Sequence, residues 1–417
     1  MTDFTPEIRV MTLPPNTDHS ATMTEVTAMV DYSINISRGT SEYISAPYPA
    51  QTTLTLLFDE DVIPDIELGS WVQIECRNSI GAWAVLQAGN VTNRTSQYRS
   101  YGLTGYVLEW QFSITSSISL LQNTVFYVDQ DAQQGTDGWI GDIEVLSKLF
   151  QWDNLNRNLT WANYGPDAWD EVDTFRDIDF PIFNIGTNTY NQQLNEGYHN
   201  TWDELVKLVY GVYGYIVENP DGELFFRFGE VTLTSAITLT ADMLSPDIEG
   251  GDRFDTMRNR VTLSKYDSTQ TTYYGSDSIA LYGDRLGSLD TYLVDQPDLN
   301  DTGQKILNSM SYPLLSTERV SVNLLNPIFT DAQRDDFFLS IPLGCRISVE
   351  APQAMGGTQE YLTIGCNYTI NRNEFVMDLT LAPFAQAYNT PNWDQIDYSY
   401  TWTSYGVAFP TQKWQDL

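Results

Sequence analysis

The sequence predicts a mainly β protein with an α+β insert: two similar antiparallel β-barrel domains flanking a small α+β domain. Three observations point there. Short runs of period-two alternation recur at both ends of the chain, as half-buried strands require. Helical spacing is confined to the middle. A ten-residue pattern occurs twice, once in each β region.

In chain order, residues 1–27 are rich in Thr and Pro without clear periodicity and read as an N-terminal arm. The first β-barrel domain, 28–125, carries strand signals at 30–36, 51–58, 71–76, 83–86 and 110–118. Pro47 with Pro49, Pro64 with Asp65, and the stretch 78–81 punctuate them as turns. Many short strands at this spacing mean an antiparallel barrel or sandwich. The middle domain, 126–255, opens with Ile143, Leu146, Leu149 and Phe150 at helical spacing. A second helix is expected from Thr201, which stands at capping-box distance from Glu204, and should stop near Gly214. Tyr215, Ile216 and Val217, the turn Asn219-Pro220-Asp221-Gly222 and a strand over 224–228 read as a hairpin. The second β-barrel domain, 256–386, has strand signals at 260–266, 319–325, 346–349, 361–364 and 375–381. Residues 387–417 form an aromatic, loop-like tail.

The repeat links the two β regions. Ile66, Leu68, Gly69, Val72, Ile74 and Glu75 match Ile341, Leu343, Gly344, Ile347, Val349 and Glu350, at a constant spacing of 275 residues (66 to 341). An alternating strand precedes each copy. A return strand starting near Gly89 or Gly365 follows, and a long apolar-polar strand closes each. Two similar barrels in one chain let three chains build a pseudo-sixfold ring, because heterologous contacts close into rings.

Charge excludes several function classes. The chain of 417 residues holds 55 Asp and Glu against 21 Lys and Arg, a net charge of −34. Such a surface repels phosphate backbones and anionic lipid, so sequence-specific nucleic-acid binding is not expected. Two readings of the acidity stay open: an acidic proteome from a saline habitat, or a lumen lined with carboxylates past which DNA slides. No run approaches the roughly 18 apolar residues of a membrane helix, and no secretory signal is visible, so assembly in a cytoplasm is expected.

Asp31, Tyr32, Ser33, Ile34, Asn35, Ile36, Ser37, Arg38 and Gly39, followed by 50–58 and the Leu68-Gly69 strand, resemble the opening of minor tail proteins of long-tailed bacteriophages. The return from Trp83 to Gly89, the helix and hairpin of 202–228, and Thr256-Met257-Arg258-Asn259-Arg260-Val261 resemble later parts of the same family. The resemblance covers roughly residues 28–385. It implies a baseplate hub at the tail tip, with two tube-type barrels around an α+β domain and a homotrimer capping the tail tube. Implied partners are the tail tube or distal tail protein, the tape measure protein and fibres. With the chain ending at Leu417 there is no room for a C-terminal lysin domain, which favours a scaffold.

The sequence predicts no catalytic, cofactor or metal site. The two histidines, His19 and His199, stand far apart, and no HExxH, G-x-S-x-G, P-loop or GxGxxG motif occurs. Cys76, Cys345 and Cys366 give no disulfide framework and read as small apolar strand residues. Acids in aromatic company, Asp170, Glu171 and Asp173 beside Trp169 and Asp203 with Glu204 beside Trp202, are weighed as glycosidase pairs. Solvated loop acids and a helix N-terminus account for them more simply. Asp129, Asp131 and Asp142 hint at calcium but miss EF-hand spacing. Trp393 and Trp402 read as packing or subunit contacts, with sugar stacking the alternative. The expected function is a structural tail-tip ring; the rival is a carbohydrate-binding or carbohydrate-cleaving tail protein engaging the host surface.

Overall fold

The computed structural model describes most of residues 7–128, residues 139–140 and 189–190, and most of 197–383. Seven strands come first: β1 (Ile8–Leu13), β2 (Thr24–Glu25), β3 (Met29–Gly39), β4 (Tyr48–Phe58), β5 (Trp71–Arg77), β6 (Trp83–Tyr101) and β7 (Gly105–Thr115). Helix α1 (Ser117–Asn123), β8 (Val125–Val128), β9 (Trp139–Ile140), β10 (Thr189–Tyr190), β11 (Gly197–Asn200) and α2 (Thr201–Tyr210) follow. Next are β12 (Tyr215–Glu218), β13 (Leu224–Arg227), β14 (Ile237–Leu239) and β15 (Glu249–Asp252). Then come β16 (Arg260–Ser264), β17 (Gln270–Tyr274), α3 (Ser276–Tyr282), β18 (Leu286–Asp290) and α4 (Gln296–Met310). The last elements are β19 (Leu315–Asn323), α5 (Asp331–Gln333), β20 (Arg346–Glu350), β21 (Thr358–Asn371) and β22 (Glu374–Pro383). The protein is mainly β, as its alternation predicts.

Thirteen strands form one sheet. Its main path runs β15-β19-β22-β21-β3-β4-β7-β6-β5-β1-β2, with β20 on β21 and β14 on β20. The alternation decides which side chains enter the core. In β4, Leu54, Leu56 and Phe58 are fully buried while Thr53, Thr55 and Leu57 between them are only partly so. These residues join Ile34, Ile36, Phe112 and Ile114 from the first half, and Tyr361, Tyr368 and Phe375 from the second, in one hydrophobic cluster.

The two halves use one strand order. In the first, β3-β4-β7-β6-β5-β1 are neighbours; in the second, β15-β19-β22-β21-β20-β14 are. The repeated glycines occupy one conformation, with φ +83° at Gly69 and +69° at Gly344. Each also makes the same bonds: the Gly69 amide donates to Val91 and the Val91 amide to Ser70, as Gly344 donates to Thr363 and Thr363 to Cys345. One residue later, β6 bulges between Val91 and Asn93, and β21 between Thr363 and Gly365. Gly365 therefore corresponds to Asn93, not to Gly89 as the glycine match suggests. The halves differ at one margin: β1 pairs β5 antiparallel, whereas β14 pairs β20 parallel.

The structure departs from the sequence expectations at one strand and at one helix cap. The strand expected at 260–266 in the second barrel domain lies instead in a separate sheet, ordered β17-β16-β18. Its partners are local: β17 returns as a hairpin, and α3 supplies the crossover that sets β18 parallel to β16. Helix α4 covers this sheet with Leu299, Ile306, Leu307 and Met310. Helix α2 begins at Thr201, but its N-cap is Asn200, whose side chain accepts from the amides of Trp202 and Asp203. Thr201 is the first helical residue and not the cap, so the expected Thr201–Glu204 box does not form; Glu204 is buried and pairs with Lys207 at 3.3 Å. The predicted hairpin forms as β12 and β13, its turn closed by the Gly222 amide on Asn219 at 3.1 Å. The helix expected around 142–150 lies outside the described residues.

Candidate functional site

The sheet is continuous only because β3 meets β21. Their antiparallel register runs from Ser33 opposite Asn371 to Gly39 opposite Gly365. Gly39 sits at φ +89°, and a Cβ there would overlap the carbonyl oxygen of Ile364. Glycine is required on both counts. Next to it the Thr40 amide donates to the Ile364 oxygen at 2.9 Å.

Beneath this seam lies a buried charged group. Arg38 is only 4% exposed; its Nη2 donates to the Tyr368 hydroxyl at 3.4 Å and its guanidinium lies over the Tyr368 ring. Glu218, from β12, is 2% exposed, and neither carboxylate oxygen has a partner at hydrogen-bonding geometry. Burial pushes its carboxyl up to about 7; Ser116, Arg38 and the backbone amides of Ala50 and Ile118 oppose the shift. Tyr43 packs edge-on to Tyr213, 5.4 Å between centroids, and Tyr210 donates to the Ser45 carbonyl at 3.0 Å. A cleft reaches this group between Gly39, Tyr43, Tyr215, Glu218 and Gly344. The middle segment is thus fastened to both halves at one place.

The second notable surface is a strand edge. The first half of β6 pairs β5 up to Asn90, and Val91 bonds Ser70. From Asn93 to Tyr101 β6 pairs only β7 among the described residues. Asn93, Thr95, Ser96, Gln97 and Tyr98 are exposed, while Arg94 lies over the Trp110 ring at 4.2 Å and bonds the Ile66 carbonyl. Between Arg77 and Val128 the sole acid is Glu109, whereas Arg94 and Arg99 both lie in β6. In a chain with 55 acids this hairpin is a local inversion of charge.

The residues singled out from sequence do not converge. Trp202 is buried 5% exposed in the α2 packing, with Asp203 exposed and Glu204 paired to Lys207, so no two-carboxylate cleft forms there. His199 lies on β11 opposite Phe126. His19, the acids at 170–173, Asp129, Asp131, Asp142, Trp393 and Trp402 lie outside the described residues. Cys76 and Cys366 are buried strand residues, and burial pushes the Cys76 thiol up to about 12, which keeps it protonated and unreactive. Among the described residues no cluster of metal-ligating side chains occurs and no helix is long and apolar enough to cross a membrane. Arg319 and Arg346 pair with acids inside the chain, with Asp378 (2.6 Å) and Glu360. Cross-strand neighbours at short range satisfy them first. Sequence reading missed both Glu218 and the open β6 edge; the acid-free run 78–108 was the available signal for the latter.

No protein-family model and no curated protein matches the chain by sequence. Solved structures do. The 43 kDa tail protein of prophage MuSo2 from Shewanella oneidensis superposes with TM-score 0.57 at 10% identity, covering 92% of this chain and all (100%) of its own. A tail protein from Neisseria meningitidis gives TM-score 0.57 at 14% identity, with the same 92% and 100% coverage. At such identities the likeness is one of fold: the chain has the β-rich fold of these phage tail proteins.

Proposed function

We propose that the chain is a structural component of a phage tail, a hub-type tail-tip protein that assembles as a ring of three and serves no catalytic role. The observation that carries this reading is the duplicated strand order, six strands in each half with equivalent bulges and glycines. Two like units per chain and three chains give six like wall segments, matching a sixfold tube. On this reading the halves are the two tube-type barrel domains, the segment between them is the α+β domain, and the whole travels in the virion at the tail tip. Whole-length likeness in fold to two tail proteins supports it. Partners would be other tail proteins: the tube or distal tail protein, the tape measure protein and fibres. The charge of −34 suits a bore lined with carboxylates, where passing phosphates find no place to bind. Native mass spectrometry of the purified chain and cryo-electron microscopy of the virion test the proposal. A trimer at the distal end of the tail with an acidic bore is expected. A monomer with glycan affinity, or a bore lined with Arg and Lys, would overturn it.

A further inference from the structure

One edge of β21 carries two partners in succession. Its first half pairs β20 and its second half, Gly365 to Asn371, pairs β3. Strand β6 is its counterpart in the first half of the chain, since Val91 and Thr363 make equivalent bonds and equivalent bulges follow them. The first half of β6 likewise pairs β5. Its second half, Asn93 to Arg99 by that correspondence, has an empty outer edge among the described residues. The missing partner is identifiable. Strand β15 holds the place in the second half that β3 holds in the first, beside β19 as β3 is beside β4. Among the described residues, β15 pairs only with β19. One chain therefore contains a completed β21–β3 junction and the two separate members of a second such junction.

We propose that β6 of one copy pairs antiparallel with β15 of the next, so that the contact between copies repeats the β3–β21 junction inside each. Carrying over the internal register sets Glu249 opposite Gln97 and Asp252 opposite Arg94. Charge agrees with the placement. Two copies at −34 each repel, and the cheapest approach is through the hairpin that has two arginines and a single acid. Strand β15 contributes Glu249 and Asp252 from only four residues. The open edge exposes Thr, Ser and Gln and carries neither proline nor lysine, two of the devices that keep strand edges from pairing. The contact is heterologous, each copy giving one edge and receiving another, as a ring needs.

This inference rests on the ring reading, and the experiment separates the two. Sedimentation velocity of the full chain from low to high micromolar concentration is compared with that of Thr95→Asp/Ser96→Asp and Thr95→Lys/Ser96→Lys variants. The acidic pair should weaken self-association at least about tenfold, because like charges on facing strands repel, and the lysine pair should leave it within about threefold. In parallel, a Gln97→Cys/Glu249→Cys chain is oxidised. Covalent oligomers joined through 97 and 249 are expected from the double variant and from neither single one. Wild-type oligomers unaffected by either charge pair and not cross-linked would overturn this contact while leaving a ring intact. Cross-linking of Gln97→Cys alone would mean twofold β6–β6 pairing and would overturn the proposal. A wild-type chain monomeric at every concentration would overturn both readings.

Discussion

Arg38 and Glu218 are opposite charges enclosed where three parts of the chain meet, and their titration has a definite sign. Folding raises the Glu218 carboxyl from 4.5 to about 7 through burial. The folded state therefore holds this proton more tightly than the unfolded chain. That contribution is complete below pH 4.5 and is lost as pH rises through about 7. A Glu218→Gln variant has nothing to lose. The stability difference between variant and wild type should shift toward the variant by about 3 kcal/mol between pH 4.5 and 8. Urea titrations of both proteins across that range check it; a pH-independent difference would refute it. Gly39 admits a simpler test. Alanine there meets both a positive φ and the Ile364 carbonyl, so Gly39→Ala should cost more than about 2 kcal/mol. Gly283, at φ +76° with open space around it, isolates the conformational part. Gly283→Ala should be the milder change in the same denaturation assay.

At the scale of elements, α2 separates two assignments of its cap. Asn200 accepts from two amides, whereas Thr201 is the first helical residue. Asn200→Ala should lower stability by about 1 kcal/mol and Thr201→Ala by much less, read from denaturant midpoints. The confusion has a physical origin. Asn and Thr are both good caps, and adjacent candidates differ only in which backbone leaves the helical region. Much else at this scale was legible. The strands at 51–58, 71–76 and 375–381 announce themselves by alternation, and the Asn219-Pro220-Asp221-Gly222 turn by its dihedral demands. Strand 260–266 was legible as a strand but not in its sheet, because alternation fixes which face is buried and says nothing about which neighbour supplies the hydrogen bonds. Glu218 was hidden for a similar reason: the groups that act on it, Ser116 and Arg38, are distant in sequence and assembled only by the fold.

For the whole molecule, the repeat was the most informative sequence feature, since shared glycines at Gly69 and Gly344 mark shared backbone geometry. The pairing of β3 with β21 was beyond its reach, because no local pattern says that two like units merge edge to edge. Charge governs the molecule as a unit. With −34 on each copy, association should tighten as ionic strength rises from about 0.01 to 0.15 M, where the screening length falls from roughly 30 to 8 Å. Sedimentation at several salt concentrations measures this. Weaker association at higher salt would mean that attractive ion pairs outweigh the overall repulsion.

The β3–β21 junction also sets a timetable. Arg38 and its Tyr368 partner are 330 residues apart, so a ribosome working at about 5–20 residues per second needs on the order of tens of seconds between them. Throughout that interval β3 is a finished strand with one edge waiting, and β6, whose own open edge matches it in kind, has already been made. Two nascent chains on one message would bring such edges close together before the proper partner exists. Late closure of this kind is slow and invites exchange between chains. The same correspondence of strands that would let copies join in order makes premature joining the characteristic hazard of their synthesis.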